Sequence, residues 1–163
     1  MKNYILDNRT PAKGKRQFDT GSEQEEKVIL GLKNYYKCRG IELEADKIDK
    51  DEKWMDGKPH YNPDWWITKN DKKITLEIKC TSSGTFLEDT VYVKPPAIWT
   101  MLSNRQKFPN GQLLVATHKE FAVMDVHKVS EYPVKETEAW GGKKLFHIPV
   151  EDFKWLSWVS YIW

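Results

Sequence analysis

Cysteine is scarce in this chain: Cys38 and Cys80 are the only two in 163 residues. Two thiols so far apart in sequence make neither a disulfide framework nor a zinc site, so a reducing intracellular setting, the cytoplasm, is expected. The four histidines, His60, His118, His127 and His147, show no metal-ligand spacing. A nucleophile elbow, a glycine-rich phosphate loop and a dinucleotide fingerprint are all missing, so those chemistries fit poorly. So are a signal pattern and an apolar run long enough to span a bilayer; the tryptophan-rich stretch Phe153 to Trp163 is too short and too interrupted. Nor does one sign of charge dominate, since 26 Lys and Arg stand against 24 Asp and Glu for a net +2. Bulk charge therefore does not announce a polyanionic partner.

What is present is a patterned hairpin. Pro63-Asp64-Trp65-Trp66-Ile67 and Ile74-Thr75-Leu76-Glu77-Ile78-Lys79 flank a polar gap, Thr68 to Lys73, in which Asn70 and Asp71 are the natural turn residues. A turn centred there makes paired positions sum to 141 and sets Asp64 opposite Glu77. Neighbours across a sheet have Cβ atoms about 4.5 to 5.5 Å apart. Alternation then puts Thr75, Glu77 and Lys79 on one face, with Ile74, Leu76 and Ile78 packing on the other beside Trp65 and Ile67. Two carboxylates and an ammonium group converge. Like charges across a sheet repel unless a cation sits between them, and magnesium suits such a site because it prefers oxygen ligands and usually takes one or two protein carboxylates. Manganese is expected to substitute. The ordinary alternative is a solvated hairpin face with an incidental Glu-x-Lys pair.

A third acid precedes the hairpin. Ser22 to Lys37 reads as a helix, opened by Gly21-Ser22 and closed near Arg39-Gly40, with Val28, Ile29, Leu32, Tyr35 and Tyr36 at helical spacing. Glu25 falls on the same side as Val28 and Ile29. It is either a first-turn glutamate favoured by the helix dipole or a further metal contact.

The order Glu25, Pro63-Asp64, Glu77-Ile78-Lys79 resembles the PD-(D/E)xK nucleases, the restriction-endonuclease-like superfamily. Gly21 four residues before Glu25, then the hairpin, looks like the arrangement in archaeal Holliday-junction resolvases, and His60-Tyr61-Asn62-Pro63-Asp64 resembles the same approach in a phage junction-cutting endonuclease. The resemblance covers about residues 21 to 126. It implies that Asp64, Glu77 and the main-chain carbonyl of Ile78 bind the metal, that Lys79 assists the attacking water, and that Glu25 completes or extends the site. It also implies an α/β fold, a restriction-endonuclease-like mixed β-sheet flanked by helices, and a Mg2+-dependent DNA nuclease, either an exonuclease or a junction resolvase. A binding module that kept the fold and lost catalysis is the alternative from another class.

The remaining segments agree with that order. Val91-Tyr92-Val93 reads as a strand, Pro95-Pro96 as the start of a helix, Leu113 to Ala116 as a buried strand and Phe121 to Val126 as another, so a parallel crossover fits between Val93 and Leu113. Length and composition suit a single nuclease domain over 21–163, preceded by a basic arm over 1–20 carrying Arg9, Lys13, Lys15 and Arg16. Residues 41 to 60 read as an acidic loop or strand extension. Residues 1–40 hold nine basic and five acidic groups and residues 61–110 seven and five, so these parts could face a DNA backbone. DNA contacts are assigned to Lys15 and Arg16, to the polar loop Thr81, Ser82 and Ser83, and to Trp66, whose ring could stack a base or instead pack beneath the first helix. The Phe153 to Trp163 tail should be buried, on its own sheet or in a homodimer; a base-stacking tail is the third option.

Overall fold

A computed structural model describes residues 11–49, 53–55, 58–80, 89–138 and 141–163, with the backbone alone for 11–22, 53–55 and 58–60. The first helix, α1, spans Pro11–Lys37, so it starts well before Ser22 and takes in half of the expected arm. Gly14 and Gly21 disguised it, each weakening a helix by about 1 kcal/mol relative to alanine. It stops where expected. Gly40 adopts φ 75°, its N–H donates to the Lys37 carbonyl at 3.0 Å, and Ile41 donates to Tyr36 at 2.9 Å. This is the left-handed cap that glycine favours.

Strands β1 (Leu43–Lys47), β4 (Trp65–Lys69), β5 (Lys72–Cys80), β7 (Gly111–Ala116), β8 (Glu120–Asp125) and β11 (Leu156–Ser157) form a six-stranded sheet in the order β1-β4-β5-β7-β8-β11. Between β1 and β4, β2 (Lys53–Met55) and β3 (Lys58–His60) pair as a small hairpin. The acidic segment thus supplies an edge strand, and charge on an edge blunts unwanted pairing. Every neighbour in the main sheet is antiparallel except β5 and β7. That parallel step is bridged by β6 (Thr90–Val93) and helix α2 (Pro95–Ser103), as the spacing predicted.

The β4–β5 hairpin follows its sequence closely. Asn70 and Asp71 both have positive φ, 51° and 61°, as a two-residue turn of the mirror-image type requires. Pairs run from Lys69↔Lys72 to Trp65↔Leu76, each summing to 141.

Two apolar clusters cover the two faces of the sheet. Val28, Ile29, Leu32 and Tyr35 of α1 pack on Ile67, Ile74, Leu76, Ile78, Leu114 and Phe121. On the other face, Ile98 and Met101 of α2 and Val126 and Val129 of α3 (Val126–Ser130) pack on Leu113, Val115, Ala122 and Met124. β7 sends alternate residues into both clusters, hence its unbroken apolar run. β6 leaves the main sheet and pairs with β10 (Lys143–Pro149), which pairs with β9 (Val134–Thr137), making a second sheet with no counterpart in the sequence reading.

The tail lies against its own sheet but is only partly covered: Phe153 and Trp158 are buried, whereas Val159 and Tyr161 are exposed. β11 pairs with β8, the Trp158 ring stacks on Phe121 at 4.1 Å, and its Nε1 donates to the Thr117 carbonyl at 2.8 Å. Gly31 of α1 permits this: a Cβ there would lie 2.9 Å from Ile162 and 3.1 Å from Trp158. Among the described residues no helix is long and apolar enough to cross a membrane.

Candidate active site

β5 outruns its partner. Its ladder with β4 covers Lys72 to Leu76, so Glu77, Ile78, Lys79 and Cys80 extend past the start of β4 while remaining paired with β7. β4 stops there for a local reason: Pro63, buried just upstream, has no N–H to add to a ladder. Asp64 fills the gap. Its N–H donates to the Leu76 carbonyl at 2.9 Å, its carbonyl accepts from Ile48 at 3.0 Å, and its Oδ2 accepts the N–H of Ile78 at 2.7 Å. A side-chain oxygen thus replaces the backbone acceptor that a longer β4 would have supplied. Asp64 as a whole is only 2% exposed, and a charge-assisted hydrogen bond of this length offsets part of its desolvation.

The bonded amide lies between Glu77 and Lys79, so Asp64 sits one peptide from each. The strand ladder ends one pair short of Asp64 and Glu77, and their proximity is made through this side-chain bond instead of a ladder pair. A strand residue directs its N–H and C=O to the same side, so the Ile78 carbonyl also faces the edge that β4 has vacated.

Glu77 and Lys79 are both half-buried. Leu76 and Ile78 enter the α1 cluster, which by alternation turns Glu77 and Lys79 to the opposite face. Burial, then the nearby Lys94 ammonium, pushes Lys79 down to about 8, and Glu77 opposes that shift. Cys80, packed against the α1 cluster, has its thiol pushed upward, first by burial and then by the carboxylates of Glu25 and Asp64. Glu25 therefore approaches from the α1 side, beside Cys80, with its Oε1 atom buried. Asp64 stands at the strand edge between the two faces.

The structure thus brings Asp64, Glu77 and Lys79 together and adds Glu25 from the other face. Among the described residues no three His, Cys, Asp or Glu side chains are grouped to hold a metal ion by themselves. The donor set that fits is a pair of carboxylates with a backbone carbonyl, completed by water and substrate oxygen, which is how magnesium is usually held.

Two neighbours of Lys79 were not singled out in the sequence, Cys80 and Lys94. Lys94 is the N-cap of α2, directly before Pro95 and Pro96. The proline pair marks the helix start, but the closeness of Lys94 to Lys79 arises only when β6 and α2 fold back. Trp66 packs away from α1, in the opposite cluster: its ring stacks near Phe108 with centroids 6.2 Å apart, and its Nε1 donates to the Lys107 carbonyl at 3.3 Å. Thr81, Ser82 and Ser83 lie outside the described residues, as do the side chains of Lys15 and Arg16.

The class defined by these features is a mixed α/β sheet, flanked by helices, with a two-carboxylate-plus-lysine cluster at the end of a central strand. No family model matches the sequence, and no curated protein does. Among solved structures the chain is similar to Hjc, a Holliday junction resolvase from the archaeal hyperthermophile Archaeoglobus fulgidus, with a TM-score of 0.49 and 13% identity over 81% of this chain and 88% of that one.

Proposed function

We propose that this protein is a metal-dependent nuclease that hydrolyses phosphodiester bonds in DNA, acting as an exonuclease or end-processing enzyme or as a junction resolvase. One observation carries the reading: the Asp64 carboxylate is seated on the amide between Glu77 and Lys79, 2.7 Å from Ile78 N, so acid, acid and amine occupy one strand end. An arrangement of like-charged carboxylates beside a desolvated lysine is costly to a fold, and functional sites are where such costs are tolerated.

Asp64, Glu77 and the Ile78 carbonyl would hold Mg2+, or Mn2+ in its place, with Glu25 extending the donor set from the α1 side. Bound there, the ion would supply charge stabilisation at the phosphate and acidify a water. Asp64 acts as a fixed oxygen donor, because its hydrogen bond to Ile78 prevents the side chain from swinging. Lys79, pushed down to about 8 chiefly by burial, would orient the attacking water. Its ammonium also offsets charge that grows on the phosphate oxygens.

The deciding experiment incubates the purified chain with linear single-stranded, linear duplex and four-way-junction DNA, with Mg2+, with Mn2+ and with chelator. Laddering from an end identifies an exonuclease, and paired symmetric nicks near the branch identify a resolvase. Cleavage that persists in Glu77→Gln or in chelator removes the proposed site.

A further inference from the structure

The far end of β5 carries a cationic surface. Lys72 and Lys73 follow the Asn70-Asp71 turn, Arg105 and Lys107 stand on the loop between α2 and β7, and all four side chains are exposed. The two loops are tied together. Asn110 Nδ2 donates to the Lys73 carbonyl at 2.8 Å, and Thr75 donates to the Pro109 carbonyl through its N–H at 3.1 Å and its Oγ1 at 2.9 Å. Trp66 closes the knot: its Nε1 holds the Lys107 carbonyl, and the Lys73 ammonium lies 4.2 Å from its ring centroid. The Lys107 ammonium rests 5.4 Å from the centroid of Phe108.

Lys73 and Lys107 are therefore held on a braced scaffold, and Arg105 projects from the same loop. Lys73, Arg105 and Lys107 collect on the side of the sheet that carries Trp66, whereas Lys69, over the Tyr36 ring, and its partner Lys72 belong to the α1 side. Such a cluster is complementary to a polyanion. Lys73 also shares its strand face with Glu77 and Lys79, as its position over Trp66 attests. Six residues of strand separate Lys73 from Lys79, a span of about 20 Å. Duplex DNA advances 3.4 Å per base pair, so that span matches about six base pairs.

We propose that Lys73, Arg105 and Lys107 form a binding surface for the phosphates of a DNA duplex about six base pairs from the scissile bond. Trp66, already engaged on Phe108, Lys73 and Lys107, serves as the pin of that surface and not as a base-stacking platform. The identity of the partner rests on the nuclease reading above.

Binding is measured by fluorescence anisotropy, without divalent ions, on a labelled duplex of about 20 base pairs across a salt series. The triple variant Lys73→Gln/Arg105→Gln/Lys107→Gln is expected to bind the duplex about tenfold or more weakly, with the slope of log K against log salt shallower by about two to three. An unchanged slope in a folded triple variant overturns the proposal. Should that variant unfold, Arg105→Gln alone must flatten the slope by about one contact, and no change there overturns it equally. The two readings fail separately. A flattened slope in a protein that cuts nothing retires the nuclease and keeps the surface, whereas cleavage with an unchanged slope retires the surface alone.

Discussion

The two ends of β5 solve the same problem in opposite ways. At the hairpin end every position from Lys72 to Leu76 has a strand partner in β4, a two-residue turn sets the register, and Thr75 is fully buried under Pro109. At the other end β4 is gone, and the backbone is completed by the side chain of Asp64. Regular pairing settles the first end by geometry alone. The second is held by a charged group, and the molecule accepts that cost where its acids and its lysine collect.

Breaking the second end should have the largest effect. Asp64→Asn preserves an acceptor for the Ile78 N–H but removes the charge, and Glu77→Gln does the same on the adjacent residue. Either is expected to lower cleavage by about 10³-fold, on the scale seen when a single charge-stabilising group is removed, while the thermal midpoint stays near that of the parent. Gel assays at matched protein concentration, paired with calorimetry, check both halves.

Stability mutants sharpen the contrast. Asp64→Ala strands a buried N–H and should cost about 1–3 kcal/mol, whereas Thr75→Val at the hairpin end leaves Pro109 O still bonded to the residue 75 amide and should cost about 1 kcal/mol or less. Urea unfolding of the two variants measures the gap. A Thr75→Val cost equal to that of Asp64→Ala would mean the two ends are not different in kind.

Titration offers a subtler test, run without divalent ions. Below pH 8 both folded and unfolded chains carry the Lys79 proton, and the folded state bears the whole burden of a buried cation. Above about 8 the folded chain releases that proton while the unfolded chain, near 10.5, retains it, so stability rises with pH. Cys80 acts in the other direction: its raised folded value means the folded chain keeps a proton that the unfolded chain sheds from about 9, so stability falls above that point. The urea midpoint should climb between about pH 8 and 9, Lys79→Met should flatten the climb, and Cys80→Ala should weaken the later decline. Smallest of all, Asp71→Gly should stabilise the hairpin by roughly 0.5 kcal/mol, because Asn-Gly suits a turn with two positive φ angles.

Much of this was legible from sequence because it is local. Alternation and turn chemistry suffice for the β4–β5 register, and an unbroken apolar run marks β7. Helical spacing places Val28, Ile29 and Leu32 against the sheet, and Pro95-Pro96 opens α2. The misses are long-range or disguised. β6 looks like any short strand, and only its partner in β10, more than fifty positions later, takes it out of the main sheet. The start of α1 was hidden by two glycines. Around the candidate site, the register that brings Asp64 up beside Glu77 was readable, but their meeting runs through the Ile78 amide, and Lys94 reaches Lys79 only through the crossover.

Gly31 carries one more consequence. The bare backbone at that position lets Trp158 and Ile162 settle over α1, so the helix that presents Glu25 acquires its cover from residues near the opposite terminus. Contacts between such distant parts of a chain close late, after local elements have formed. A side chain at position 31 would therefore loosen the cover of the helix that carries Glu25, by displacing residues more than a hundred positions away in sequence.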